Sequence, residues 1–200
     1  MMNTASPSLL GIDGSPRRGG NSEILLAHIL RGAEEAGGVT EAVHLRDYQF
    51  SSCTGCEQCR RDGACTGLLD GMTLLYPKII ASQGLVLVSP THNYNITALM
   101  KAFIDRLYCF YTFGDSRPRP WSSVLAKQGR RAIIAAICEQ ERTEDMGVTL
   151  DALRLPLLSH GYDITAEITV FRTFDRGAVR ERSDVLEEAM EAGRRLLSSL

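Results

Sequence analysis

Four cysteines fall within thirteen positions, in the run Cys53-Thr-Gly-Cys56-Glu-Gln-Cys59-Arg-Arg-Asp-Gly-Ala-Cys65. A Cys-x2-Cys-x2-Cys run lets three thiolates converge on one small object, and a fourth closes the loop over it. Iron–sulfur clusters are commonly held by four thiolates in this way. Structural zinc more often uses two cysteine pairs with a longer separation. The spacing therefore favours a cluster, with a zinc loop or a disulfide pair as the alternatives.

A second constellation is Gly14-Ser-Pro-Arg-Arg-Gly-Gly-Asn-Ser22, which joins a short apolar run to an amphipathic one. Its glycines let backbone N–H groups turn inward, Ser15 and Ser22 add hydroxyls, and Arg17 and Arg18 add charge. A helix N-terminus follows at once, so the segment suits a phosphate group. It is not a triphosphate loop, because Gly20-Asn21 stands where Lys-Ser/Thr is required. The dinucleotide pattern Gly-x-Gly-x-x-Gly is also missing.

These segments need a frame, and the rest of the chain supplies one by alternating strand-like and helix-like stretches. Strands are expected over Leu9–Asp13, Val39–Leu45, Leu85–Ser89, Ala132–Cys138 and Asp163–Arg172. Helices are expected over Asn21–Ala36, Leu68–Ser82 (with a break at Pro77), Thr97–Thr112, Thr143–His160 and Ser183–Leu200. Asn21 is a candidate cap for the first helix and Gly37-Gly38 its stop; Gly114–Gln128, with two prolines, reads as a loop. Five strands alternating with helices predict a doubly wound parallel α/β sheet, a single domain over 1–200 with a cysteine-rich loop at 50–67. Ligands bind such sheets beyond the carboxyl ends of the strands. The loops to search then follow Asp13, Leu45, Ser89 and Cys138.

Composition narrows the function. The 200 residues are 44% hydrophobic and 23% charged with net charge −2, which gives no general attraction to nucleic acid or anionic membrane. No stretch approaches the roughly 18–20 apolar residues of a membrane span. Met1–Pro7 lacks the basic start and apolar run of a secretory signal, and six cysteines without one suggest a reducing compartment, the cytoplasm.

Gly14-Ser-Pro-Arg with Gly20-Asn-Ser22, Ser89-Pro-Thr-His-Asn-Tyr-Asn95 and Met100-Lys-Ala-Phe-Ile-Asp-Arg106 together resemble the NADPH-dependent FMN reductases of the flavodoxin-like superfamily. The Cys53–Cys65 run resembles the compact cysteine motif of the iron–sulfur flavoproteins within it. The resemblance runs from Leu9 to about Leu107 and more weakly beyond. It implies a sheet in the order 2-1-3-4-5, bound FMN and a homodimer or homotetramer.

On that pattern Ser15, Arg17, Asn21 and Ser22 hold the FMN phosphate. Pro90, Thr91, Asn93, Tyr94 and Asn95 line the flavin ring, and Cys53, Cys56, Cys59 and Cys65 are ligands of a [4Fe-4S] cluster. The expected activity is electron transfer from NAD(P)H or another donor to a small-molecule or protein acceptor, with the cofactor carrying the chemistry. The rival readings are a cluster-free flavin or quinone reductase and a non-catalytic flavin or metal sensor. Thr91-His92-Asn93 departs from the aromatic-rich loop common in the family, which leaves the donor open. His92 is a candidate proton donor, whereas Cys109 and Cys138 read as buried structural thiols.

Overall fold

Apolar runs of five to seven residues, flanked by turns, make the central strands of the computed structural model, which describes Ser8–Leu200. The reading of Met1–Pro7 lies outside those residues. Strands β1 (Ser8–Asp13), β2 (Val39–His44), β3 (Gly84–Pro90), β6 (Arg131–Ile137) and β7 (Asp163–Val170) form one parallel sheet, ordered β2-β1-β3-β6-β7. Between β3 and β6 the chain inserts a short antiparallel hairpin, β4 (Tyr111–Phe113) with β5 (Trp121–Ser123). With the hairpin set aside, the order is the expected 2-1-3-4-5.

Central strands β3 and β6 are buried on both faces, as continuous apolar runs require, whereas edge strand β7 alternates in exposure and edge strand β2 is mostly exposed or half-buried. Helices α1 (Asn21–Glu35) and α6 (Ser183–Ser198) cover one face. Their closest approach is at Gly32 and Gly193, where an added Cβ would lie 1.9 Å from the carbonyl oxygens of Met190 and Ile29. Helices α3 (Met72–Ala81), α4 (Ala98–Arg106) and α5 (Thr149–Ser159) cover the other face, and a short helix α2 (Gln58–Asp62) lies inside the cysteine loop.

Several expected boundaries move. The aromatic helix ends at Arg106 and gives way to a 3-10 turn over Leu107–Phe110 and then to β4, so Gly114–Gln128 is not wholly loop. α3 continues through Pro77, α5 starts at Thr149, and α1 is capped by Gly20 rather than by Asn21. No helix among the described residues is long and apolar enough to cross a membrane.

Candidate functional site

The carboxyl ends of the strands gather two separate clefts. The first is about 120 Å³ and is lined by Ser15, Arg17, Asn21, Ser22, Pro90 and Thr91. It also takes His92, Glu139, Thr173, Phe174 and Arg176. Such a volume suits a phosphate-sized group and is well below the roughly 300–1,000 Å³ of a pocket that swallows a whole ligand. The first turn of α1 opens on it, and the orphan N–H groups of a helix start favour an anion. Gly20 has no room for a side chain without pressing on Arg17, at 3.3 Å from both its Cβ and its carbonyl oxygen. Gly19 has φ +61°, a conformation that suits glycine.

The loop's shape is fixed from behind. Ser15 N–H donates to Asp13 (2.9 Å), Arg17 N–H donates to Ser15 Oγ (3.1 Å) and Gly19 N–H donates to Glu23 (2.8 Å). Arg46 binds both carboxylates, Asp13 at 2.7 Å and Glu23 at 2.6 Å, and His44 Nδ1 lies 3.2 Å from Asp13. Asp13 is fully buried. Burial pushes its pKa up, more than the bonds from Ser15, His44 and Arg46 hold it down. Glu23 also feels desolvation most, but Gly19 N–H and Arg46 outweigh it and lower its pKa. Thr97 ties in the neighbouring helix: its Oγ1 caps α4 by accepting from Met100 N–H (3.1 Å) and donates to the Gly14 carbonyl (2.7 Å).

The expected phosphate and ring residues behave differently from one another. Ser15 and Ser22 are buried in the cleft wall. Arg17 is exposed, donates to the Phe174 carbonyl (3.2 Å) and lies 4.8 Å over the Phe174 ring. Asn21 is committed elsewhere: its amide donates to the Asp175 carbonyl (2.9 Å) and its oxygen accepts from Val179 N–H (3.1 Å). It therefore fastens the loop after β7 rather than presenting a free amide. Pro90 and Thr91 line the cleft, but Asn93, Tyr94 and Asn95 do not; they form an exposed turn on its rim.

In that turn Asn93 and Tyr94 both have positive φ (54° and 64°), and His92 and Asn95 exchange backbone hydrogen bonds across it. Gly147 buttresses it, because a Cβ there would sit 2.3 Å from the Tyr94 carbonyl oxygen. Thr173, Phe174 and Arg176 were not expected. The signal available was positional: their segment leaves the carboxyl end of β7, where such sheets place ligands.

The second cleft, about 340 Å³, is lined by Cys53, Cys56, Cys59 and Cys65 together with Asp105 and Tyr108. All four cysteines are free thiols. Burial raises the Cys59 pKa most, followed by the charges of Cys65 and Cys53. Among the described residues, the group with three ligand atoms mutually within 4.8 Å is Asp13, Glu23 and His44, not the cysteines. Tetrahedral zinc would hold its sulfurs about 3.8 Å apart, from a Zn–S bond near 2.3 Å. The four thiols thus line one pocket, with no three of their sulfurs drawn within 4.8 Å of one another. Arg60 of α2 stacks on Phe113 (4.5 Å) and donates through Nε to Tyr108 Oη (2.9 Å), fixing the crown of the loop. Cys109 and Cys138 are buried, and burial pushes the Cys109 thiol up to about 12.

The family model that matches residues 7–142 is NADPH-dependent FMN reductase. An iron-sulfur flavoprotein from Archaeoglobus fulgidus is 39% identical over 98 residues, 49% of this chain and 44% of that relative. One from Methanosarcina thermophila is 34% identical over 98 residues, 49% of this chain and 51% of that relative. The match thus spans about half the length of these relatives. Among solved structures, NAD(P)H:quinone oxidoreductase from Methanothermobacter marburgensis superposes with a TM-score of 0.70 at 20% identity, covering 96% of this chain and 100% of that one. An FMN-dependent NADH-azoreductase from Bacillus anthracis, solved in complex with FMN, gives 0.67 at 17% identity, covering 96% and 99%. At these identities the likeness is one of fold.

Proposed function

The chain belongs to the NADPH-dependent FMN reductase family, and on that premise we propose that it is a single-domain FMN-dependent oxidoreductase that takes electrons from NAD(P)H or another reduced donor. The observation that carries this reading is the phosphate-sized cleft at the start of α1, with Ser15, Ser22 and Arg17 around it. FMN, when bound, supplies hydride acceptance and electron release. Ser15, Ser22, Arg17 and Arg176 hold its phosphate. Pro90 and Thr91 meet the part that leaves the cleft, and the turn Asn93-Tyr94-Asn95 covers its exposed side.

The four thiols hold an iron–sulfur cluster, a reading supported by their lining of one shared pocket, by the Cys-x2-Cys-x2-Cys spacing and by relatives named iron-sulfur flavoprotein. The six free thiols among the described residues suit a reducing cytoplasm. Exposed Trp121, Leu155 and Leu158 suit assembly into a homodimer or homotetramer.

The test is direct. Flavin released by denaturation is FMN and not FAD, and Arg17→Gln with Arg176→Gln weakens its retention at least tenfold, since each charge-assisted contact contributes about 1.5–3 kcal/mol. Unchanged retention refutes the phosphate assignment. Anaerobic reconstitution with iron and sulfide gives about four irons per chain and broad absorbance near 400 nm, lost in Cys56→Ser while FMN stays bound. A parent chain that takes up no iron replaces this reading with a cluster-free flavin reductase.

A further inference from the structure

The cysteine loop leaves the fold at Ser51 and returns at Leu68–Asp70, and one buried side chain holds both feet. Arg106, from the last turn of α4, is 2% exposed. Its Nη1 donates to the Ser51 carbonyl (2.8 Å) and its Nη2 to the Leu68 carbonyl (3.4 Å). The same two nitrogens grip the Asp70 carboxylate as a fork, at 2.8 and 3.1 Å, while Nε donates to Tyr76 Oη (3.2 Å). Asp70 completes the closure by accepting from Ser51 N–H (3.0 Å) and from Met72 N–H (3.1 Å). Every nitrogen of the guanidinium is used, and two of the three are spent on the loop's ends.

Cys53 lies two positions beyond one foot and Cys65 three positions before the other. Ligands that enter and leave beside a fixed junction lose less freedom when they converge than ligands on an open strand. Neither Arg106 nor Asp70 lines the cysteine cleft, so neither is a ligand, and they act on the nest through the loop's two ends.

We propose that Arg106 and Asp70 are the positioning pair of the four-thiol nest: by closing the loop at Ser51 and Leu68 they preorganise Cys53 and Cys65 and so set how firmly the nest retains iron. This rests on the reading of the four thiols as a metal site. It does not involve the flavin cleft, whose walls contain neither residue.

The experiment uses the full chain under anaerobic conditions, with Asp70→Asn and Arg106→Lys beside the parent. Asp70→Asn keeps the shape of the side chain but weakens the ionic fork. Arg106→Lys keeps the charge and loses the fork. Both variants reconstitute to the parent's iron content and absorbance, yet lose iron to excess EDTA at least tenfold faster. In metal-free protein the amides of residues 51–70 exchange at least tenfold faster, while those of β1 and β3, and flavin retention, are unchanged.

Iron loss at the parent's rate overturns the proposal, and so does faster iron loss without faster exchange at 51–70. If Arg106→Lys fails to fold, Asp70→Asn alone decides. If the parent takes up no iron, the metal-site reading fails and the exchange measurement still judges the clamp: selective acceleration at 51–70 supports it, and none refutes it.

Discussion

Replacing Arg46 with Met removes the cation between Asp13 and Glu23 while keeping most of the side chain's volume. Asp13 is fully buried and the Arg46 side chain is 9% exposed, so the substitution leaves a carboxylate in the interior without its ion pair. Removing one partner of a buried pair costs about 3–5 kcal/mol. Two features reduce that cost here: Asp13 keeps hydrogen-bond partners in His44 Nδ1 (3.2 Å) and Ser15 N–H (2.9 Å), and Glu23 is 30% exposed.

The expected loss is therefore about 2–4 kcal/mol, or a fall in Tm of about 5–15 °C for a chain of this size. Its pH dependence identifies the cause. Burial already raises the Asp13 pKa in the parent, and loss of Arg46 raises it further. A carboxyl with a folded pKa above its unfolded value of about 3.9 favours the fold below that value. That contribution is withdrawn as pH climbs through the folded pKa. The variant's deficit, read from urea midpoints, must then widen from pH 4 towards pH 7. Pairing the change with Asp13→Asn recovers part of the loss, because the stranded charge is gone. A deficit below about 1 kcal/mol, or one that does not vary with pH, refutes the argument that Arg46 neutralises a buried carboxylate behind the phosphate loop.

Two further substitutions probe other joints. Gly147 has φ +56° and touches the Tyr94 carbonyl, so Gly147→Ala is expected to cost about 1–3 kcal/mol and to shift the bound flavin's absorbance by displacing the Asn93-Tyr94 turn; an unaltered spectrum and urea midpoint sink this. Burial pushes the His160 pKa down to about 4, against 6.5 in the unfolded chain, so it contributes stability above pH 6.5 that is lost as pH falls through 6.5 towards 4. The unfolding free energy from urea titrations should fall by up to about 3 kcal/mol over that range, and His160→Gln should flatten the step.

The sheet was legible because its inner strands carry long apolar runs, and a run such as Leu85-Val-Leu-Val88 buried on both faces has few other places to go. The hairpin was not, because strands of three residues among prolines carry no periodicity. What holds it is tertiary: Tyr111 stacks on His160 with ring centroids 4.3 Å apart, and Ser123 Oγ meets His160 Nδ1 at 2.9 Å. The same limit hid the support behind the phosphate loop. Asp13 and Arg46 are 33 positions apart, and they meet only once β1 and β2 pair in parallel with Asp13 opposite His44. A lone acid closing the apolar run Leu9-Leu-Gly-Ile-Asp13 was the visible hint. The cleft residues Phe174 and Arg176 follow from a rule already in hand, since β7 also ends at the ligand edge.

Both candidate sites share one construction. Each is a loop at the carboxyl edge of the sheet, and each is closed by an arginine that reaches its ends from another element: Arg46 from just beyond β2, Arg106 from the end of α4. A buried guanidinium suits this task because its donors point in several fixed directions at once, so it can tie two backbone segments and a carboxylate together where a lysine ties one. Because the two closures have no residue in common, damage to one should leave the other intact. The two losses, of flavin and of iron, are then separable by single substitutions. A chain in which Arg46→Met released the iron, or Asp70→Asn released the flavin, would have to couple the sites through the sheet between them, and nothing in the bonding of either arginine provides that link.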